Sequence, residues 1–389
     1  MAKFQFYRSY LRALRDYFYQ RNEIKKSFLL PIDKINNKDF PNSFVTKPSQ
    51  QIKFDKEFIS RMKAILQKEA EVSYYWQEMY DLENLGNFHQ DLLKMNDEDF
   101  FYQISNPSKN NLHFGFGDIC KNILENPNIN YFYLNKTVYD TIFRISCSLG
   151  INRVPETYHY LKFNFDSPDV MLQEIFNELG YKTDFPNIFE GEFGLKTSLG
   201  VVSFAPIQQM YHAMKILEFS KTYNIKNPRI LEIGAGLGLS AYHARNFNIK
   251  DYTIVDLSLG ILSQSFFFAN TIGKENIIIG DEIKQFHIND TKIKEKIKLI
   301  QSSNLELIPD NIDLIVNCDS ITEMSNEHAE TYIKIASNKS KYFLSLNHES
   351  NEFQVFDLFK NTPFKRIYRV PTWYRNGYVE ELYVNTSIV

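Results

Sequence analysis

Short apolar runs separated by polar turns and helical stretches make up most of the second half of the chain. Five of these runs predict buried strands, at residues 230–233, 252–256, 297–301, 313–317 and 342–346. Helices are predicted at 239–246, 257–269 and 326–336. Two alternating runs, 366–373 and 378–386, meet at Asn376-Gly377 and predict a C-terminal hairpin. The pattern is typical of an α/β fold in which parallel strands precede an antiparallel pair.

The first half of the chain has a different pattern, in which apolar residues recur at helical spacing. Helices are predicted at 58–80, 97–104, 119–124, 136–149 and 169–179, without a repeat of fixed period. We therefore predict a mostly helical N-terminal domain at 1–184, a linking segment at 185–228 and an α/β domain at 229–389. Within the linking segment, the glycine-punctuated stretch 185–206 predicts a lid or hinge before a helix at 207–221.

Composition excludes some classes of protein and leaves others open. The 389 residues carry a net charge of −3 without a long block of one sign, so no nucleic-acid partner is predicted. Three widely spaced cysteines without C-x-x-C spacing favour a reducing cytoplasm. No apolar run approaches the roughly 20 residues of a membrane-spanning helix. Residues 3–28 predict an amphipathic basic helix that either packs on its own domain or makes peripheral contact with an anionic membrane surface.

A glycine-rich turn between the strand at 230–233 and the helix at 239–246 has the composition of a nucleotide cradle. Gly234, Gly236 and Gly238 allow the backbone to approach a ligand closely, and the helix start behind them offers unpaired N–H groups. The dinucleotide fingerprint requires glycine or alanine where this chain has Leu239. The turn therefore fits a dinucleotide poorly.

Two acids flank this turn, Glu232 before the first glycine and Asp256 at the end of the next strand. The arrangement resembles class I S-adenosylmethionine (SAM)-dependent methyltransferases. The resemblance implies a seven-stranded Rossmann-like sheet, with Glu232 near the cationic methionyl end of SAM and Asp256 accepting the ribose hydroxyls. It predicts these cofactor-binding residues: Glu232, Gly234, Gly236, Gly238, Asp256, Leu257, Ser302, Ser303, Asn304 and Asn317.

Two turns compete for the adenine side of the predicted cofactor site. One is Ser302–Asn304, directly after the strand at 297–301, and the other is Asp281, after a short strand at 276–279. We favour the first, because the strand, the polar turn and the next strand then lie at the close spacing usual for the family. Residues 273–295 would be an insertion.

Further motifs narrow the resemblance. They are Val255-Asp256-Leu257, the run Asn317-x-Asp319-Ser320-x-x-Glu323-Met324 followed by a helix containing Tyr332, and Asn347 at the end of the fifth strand. As a set they look like bacterial sugar O-methyltransferases found with surface-polysaccharide genes, over roughly residues 190–389. The resemblance implies methyl transfer from SAM to a hydroxyl of a sugar or glycan.

The strands at 313–317 and 342–346 end in polar clusters that should face one crevice. We predict His348 as the general base, because a neutral imidazole can remove a hydroxyl proton near neutral pH. Glu323 or Asp319 would orient it or hold sugar hydroxyls. The predicted substrate-binding residues are Asn347, Trp373, Arg375 and Tyr378. No spacing demands a metal ion, so none is predicted, although some sugar methyltransferases bind the acceptor through a divalent metal, for which Asp319, Glu323, His348 and Glu349 include suitable ligands. His243 and His328 are interpreted as helix-surface residues.

Other functions stay open on the sequence alone. The acceptor could be a non-sugar metabolite, and a nicotinamide-dependent dehydrogenase or epimerase would use a similar glycine turn. A non-catalytic SAM-binding scaffold, or a homo-oligomer assembled through the helical half, is also compatible with the sequence.

Overall fold

The computed structural model describes residues 43–45, 53–67, 85–113, 131–154, 166–286, 291–350 and 353–388, together with residues 29, 47, 48, 77 and 81. The predicted basic helix at 3–28 and the helix at 119–124 lie outside the described residues. Within the described residues, no helix combines the length and the apolar content that crossing a bilayer requires.

The N-terminal part is built from helices, as predicted. Their bounds are α1 Lys56–Leu66, α2 Leu85–Lys94, α3 Asp97–Ser105, α4 Tyr131–Ser148 and α5 Pro168–Leu179. Both ends of α5 have a cap residue: Ser167 Oγ accepts from the Val170 N–H at the start, and Gly180 ends the helix in the left-handed region. A small antiparallel sheet follows, made of β1 Ser43–Phe44, β2 Phe193–Thr197 and β3 Gly200–Val202. The role of residues 185–206 as a lid stays a prediction.

The α/β part begins after helix α6, Phe204–Thr222. Its strands are β4 Ile230–Ile233, β5 Tyr252–Asp256, β6 Ile277–Ile279, β7 Ile297–Gln301, β8 Ile312–Cys318, β9 Ser340–His348, β10 Phe364–Pro371 and β11 Tyr378–Asn385. The helices between them are α7 Leu239–Asn246, α8 Ser258–Phe268 and α9 Asn326–Lys339, with short helical turns at Thr291–Lys294 and Val355–Leu358. The predicted strands and helices of this half are confirmed, some to the residue.

Among the described residues, the main sheet has eight strands in the order β10-β11-β9-β8-β4-β5-β7-β6. The strands from β6 to β9 run parallel, and β11 pairs antiparallel with both β9 and β10. The seven expected strands are present, and Ile277–Ile279 adds an eighth at the edge beyond β7. Residues 297–301 are the third core strand, because Gln301 pairs with Asp256 of β5.

The helical part packs directly on the α/β part. Arg61 of α1 forms two hydrogen bonds with Glu282, at 2.6 and 2.8 Å, and the Gln301 amide donates to the Ile65 carbonyl at 2.5 Å. Phe101 of α3 lies edge-on to Phe266 of α8 with 6.3 Å between the ring centroids. One buried apolar cluster therefore runs from α1 to the sheet. The boundaries proposed at residues 184 and 228 stay predictions.

Candidate active site

The glycine turn between β4 and α7 is too crowded for side chains. Gly234, Gly236 and Gly238 have φ of 68°, 56° and 85°, in the left-handed region that favours glycine. A Cβ atom on Gly234 would lie 2.3 Å from Ser320 Oγ, and one on Gly238 would lie 2.7 Å from the Phe268 ring. The turn therefore presents bare backbone at the carboxyl edge of the sheet, where ligands of open α/β sheets bind.

Asp256 is fastened to this turn. Its carboxylate accepts hydrogen bonds from the N–H groups of Ala235 at 3.0 Å and Leu257 at 2.8 Å, and from the Gln264 amide at 2.8 Å. Burial raises the pKa of Asp256 to about 6. The Gly236 N–H also faces this carboxylate, so a ligand hydroxyl would share or displace one of the four protein donors.

Gln264 of α8 is a site residue that the sequence reasoning missed. Its Nε2 donates to Gly236 O and to Asp256 Oδ2, both at 2.8 Å, so one buried side chain joins the turn to the acid. The sequence feature that could have identified it is that Gln264 is the one amide side chain in the otherwise apolar or small stretch 258–268. Its Oε1 is buried and has no partner among the described residues.

Glu232 lies beneath the turn. It is 1 % exposed, its carboxylate accepts from the Tyr252 hydroxyl at 2.9 Å, and burial raises its pKa to about 7. The structure thus gives Glu232 a bond within the sheet, and its place near a methionyl group stays a prediction.

The turn after β7 lies beside Asp256. Ser302 N–H donates to the Asp256 carbonyl at 2.9 Å, Asn304 is buried, and Ser303 is exposed. Ser302 Oγ and Asn304 Nδ2 are buried without a partner in the described part of the chain. Asp281 follows β6, one strand farther out, and pairs with Lys284 at 2.9 Å. The 302–304 turn follows β7, which neighbours the strand of Asp256, whereas Asp281 follows β6, which does not. Contact between the 302–304 turn and adenine stays a prediction.

Two asparagines join the strands at the centre of the carboxyl edge. Asn317 of β8 donates to the Ile233 carbonyl at 2.9 Å, and Asn347 of β9 donates to Asn317 Oδ1 at 2.9 Å. Both are almost completely buried. Their observed bonds hold β4, β8 and β9 together, and the predicted contacts with cofactor and substrate stay predictions.

Beyond these asparagines lies a group of polar side chains that we call the rim: Asp319, Arg375, Tyr378, Gln208, His348 and Glu323. Asp319 has a φ of 63°, which is uncommon for a non-glycine residue, and its carboxylate accepts from Arg375 at 2.7 Å and from the Tyr378 hydroxyl. The Arg375 guanidinium lies 3.9 Å from the centre of the Tyr378 ring and also donates to Gln208 of α6 at 3.2 Å. Gln208 is a second site residue that the sequence analysis did not select, because no motif includes it.

His348 and Glu323 complete the rim. The Nε2 atom of His348 lies 3.7 Å from Glu323 Oε1, and its Nδ1 atom lies 2.7 Å from Ser350 Oγ. The contact with Glu323 raises the pKa of His348, and burial raises the pKa of Glu323. All three predicted catalytic residues are therefore brought together, since a carboxylate oxygen of Asp319, one of Glu323 and a ring nitrogen of His348 lie within 4.8 Å of one another.

Such a trio could hold a cation, but Asp319 is already neutralised by Arg375. Glu349, the other hard oxygen ligand nearby, pairs with Arg369 at 2.5 Å. The prediction that no metal ion is needed stays a prediction.

Trp373 belongs to the loop that carries Arg375. Its carbonyl accepts a hydrogen bond from Arg144 of α4, which also pairs with Asp140 at 2.7 Å. Thr372 closes the loop by donating its hydroxyl hydrogen to the Arg375 carbonyl at 2.7 Å. Arg144 of the helical part therefore contacts the loop that carries Arg375, although the two lie far apart in the sequence.

A pH profile tests the His348–Glu323 contact. If His348 is the base predicted from the sequence, the reaction rate should rise with pH through a midpoint above the ordinary histidine value of 6.5, because a base must be neutral to accept a proton. Glu323→Gln removes the charge that favours imidazolium and should move this midpoint to lower pH. Turnover of the wild type and the variant measured against pH checks this. An unchanged midpoint in the variant would contradict the pairing.

The strand order, with parallel strands continued by an antiparallel pair, is that of the class I methyltransferase fold. No protein-family model matches the chain, and no curated protein matches its sequence. Among solved structures, the chain is similar to magnesium protoporphyrin IX methyltransferase from Synechocystis PCC 6803 with bound SAM. The identity is 12 %, over 67 % of this chain and 100 % of that one, with a TM-score of 0.35.

It is also similar to the ribosomal protein L11 methylase from Lactobacillus delbrueckii subsp. bulgaricus. There the identity is 14 %, over 47 % of this chain and 80 % of that one, with a TM-score of 0.33. Because these values are low, the assignment of the fold depends on strand order and register rather than on either comparison.

Proposed function

We propose that the protein is a SAM-dependent O-methyltransferase that acts on a hydroxyl of a sugar or glycan. The observation that carries the proposal is the bare-backbone turn joined to Asp256, next to a rim that holds His348 and Glu323. The sugar acceptor depends on the resemblance of the motifs at 255–257, 317–324 and 347. We assign the reaction to the cytoplasm on the cysteine usage.

The residues at the carboxyl edge fit SAM in two respects. The glycine turn places backbone without side chains at the carboxyl edge of the sheet, where ligands of open α/β sheets bind. Three buried polar atoms near Asp256 have no protein partner among the described residues: Ser302 Oγ, Asn304 Nδ2 and Gln264 Oε1. Buried polar atoms normally find partners, so a polar ligand here would satisfy them. In this proposal Asp256 holds the ribose and the 302–304 turn meets the adenine.

When bound, SAM would supply a sulfonium methyl group that an acceptor hydroxyl oxygen can take in line, with the electron pair of the broken carbon–sulfur bond left on sulfur. His348 Nε2 takes the hydroxyl proton. This requires the ring hydrogen to be on Nδ1 and to be donated to Ser350 Oγ, 2.7 Å away, in place of the hydrogen bond that the Ser350 N–H donates to Nδ1 at 3.4 Å. Glu323 then stabilises the imidazolium that forms.

Ligand-induced stabilisation tests the cofactor. Adenosylhomocysteine should raise the melting temperature, because a ligand at a hundredfold excess over its Kd stabilises the folded state by about 2.7 kcal/mol. NAD at the same concentration should not, since Leu239 stands where a dinucleotide needs glycine or alanine. Thermal unfolding with each ligand is the measurement. Stabilisation by NAD alone would replace the methyltransferase with a dehydrogenase or epimerase.

A binding-only scaffold makes a different prediction. It would bind adenosylhomocysteine but transfer no labelled methyl group from SAM to sugars or glycans extracted from the source cells. Transfer to a non-sugar fraction of the extract would retain the methyltransferase and exclude the sugar acceptor.

A further inference from the structure

Among the described residues, Arg375 forms hydrogen bonds through only one corner of its guanidinium. Both of its hydrogen bonds leave from Nη1, to Asp319 Oδ2 at 2.7 Å and to Gln208 Oε1 at 3.2 Å. Nε and Nη2 have no hydrogen-bond partner among the described residues, and they are not among the buried unpaired atoms. With 31 % of the side chain exposed, this second edge of the fork can be reached by a ligand.

The guanidinium is held in a fixed orientation. Its central carbon lies 3.9 Å from the centre of the Tyr378 ring and 5.5 Å from that of Phe204. The hydrogen bonds from Nη1 to Asp319 and Gln208 restrict rotation of the guanidinium over these two rings. An arginine fixed in this way loses little conformational freedom on binding, which favours a planar, two-oxygen partner.

The exposed edge lies on the rim that carries the proposed base. Asp319, which Arg375 binds, has a carboxylate oxygen within 4.8 Å of the donor atoms of His348 and Glu323. The ring of Tyr378, against which Arg375 stacks, lies 5.6 Å from the His348 ring. A group bound at this edge and a hydroxyl at His348 can therefore belong to one small molecule.

We propose that the acceptor carries an anionic two-oxygen group, a carboxylate or a phosphate, which the Nε–Nη2 edge of Arg375 binds while a neighbouring hydroxyl meets His348. The inference rests on the proposed function and narrows its acceptor to acidic sugars or sugar phosphates. Asp319 keeps its hydrogen bond from Nη1. The guanidinium can therefore bind the Asp319 carboxylate through Nη1 and a ligand anion through Nε and Nη2.

Matched sugar pairs test the inference on protein saturated with adenosylhomocysteine. Glucuronate is compared with glucose to probe a carboxylate, and glucose 6-phosphate with glucose to probe a phosphate. The wild type should bind at least one anionic sugar about tenfold more tightly than glucose, by titration calorimetry. Arg375→Gln should abolish that preference, and Arg375→Lys should lose most of it because an ammonium lacks the fork.

Arg366→Gln is the matched control. Arg366 is 37 % exposed and pairs with the carboxylate of Glu381 at 3.4 Å, so it resembles Arg375 in exposure and pairing but lies on β10. This variant should keep the preference of the wild type for the anionic sugar. Adenosylhomocysteine binding by each variant shows that it has folded.

Three results would overturn the inference. Equal binding of the anionic and neutral sugars, or no binding of the anionic sugars at tens of millimolar, removes the anionic acceptor. If Arg375→Gln weakens adenosylhomocysteine but not 5′-methylthioadenosine, which lacks the amino-acid tail, the edge binds the cofactor carboxylate instead. If the wild type binds no adenosylhomocysteine, the proposed function itself is wrong. The first two results, by contrast, overturn only the role of Arg375 in binding the acceptor.

Discussion

His348→Gln should lower the rate of methyl transfer by about 10²–10⁴-fold, the usual contribution of a positioned general base. Glutamine keeps a polar side chain of similar reach but cannot take a proton at neutral pH. His348 lies on the rim, where its described partners are Glu323 and Ser350, so the affinity for adenosylhomocysteine should stay close to that of the wild type. Transfer of a labelled methyl group and calorimetric binding of adenosylhomocysteine measure the two effects separately.

His328→Gln is the matched control for this result. Its Nδ1 atom also lies 2.7 Å from a serine hydroxyl, that of Ser325, but it stands at the start of α9 and forms no ion pair with a carboxylate in the described part of the chain. The rate of this variant should be close to that of the wild type. If His348→Gln were as active as His328→Gln, then His348 would have no part in proton transfer.

Gly234→Ala should abolish adenosylhomocysteine binding and lower the free energy of unfolding by about 2–5 kcal/mol. About 1–2 kcal/mol of this comes from placing a side chain in the left-handed region. A further contribution of about 1–3 kcal/mol comes from overpacking, because the new Cβ would meet Ser320 Oγ at 2.3 Å and its Cβ at 2.4 Å. Urea unfolding measures the stability, and calorimetry measures the loss of the ligand.

Gly180→Ala separates the two contributions. Gly180 ends α5 with a φ of 76°, close to the 68° of Gly234, but no atom of the described residues lies within 4 Å of the Cβ that alanine would add. This control should lose only the conformational part and should bind adenosylhomocysteine normally. Adding Ser320→Gly to Gly234→Ala should recover part of the lost stability, because it removes the atoms that the new methyl group meets. Equal losses from Gly180→Ala and Gly234→Ala would show that the turn is not crowded.

The sequence predicted the elements of the α/β half well, because apolar runs and glycines determine them locally. The strand at 297–301 and the helix at 239–246 match the structure to the residue. The extra pairing of β6 at the sheet edge was not predicted, since a three-residue strand carries no signal of its neighbour. Periodicity identifies an element but not its position in the sheet.

The candidate site was predicted less completely. The pattern could place Asp319, Glu323 and His348 at the ends of adjacent strands, and the structure brings them together. It could not show that Gln264 joins the turn to Asp256, because that bond depends on the packing of α8.

The sequence analysis placed His243 on a helix surface, and that prediction was wrong. His243 is completely buried, with its Nδ1 atom 2.8 Å from Thr183 Oγ1 and Phe185 packed edge-on to its ring. The segment around 183–185 covers the outer side of α7, and a short helix gives no sequence signal of such a cover.

The bond from Arg144 to the Trp373 carbonyl joins residues 229 positions apart in the chain. The loop that carries Arg375 is therefore held by a helix from the other half of the protein. In a chimera that keeps residues 229–389 but takes its first half from a relative, every rim side chain would be retained while this support changed. We expect such hybrids to keep the methyl donor of one parent and to shift toward the acceptor of the other.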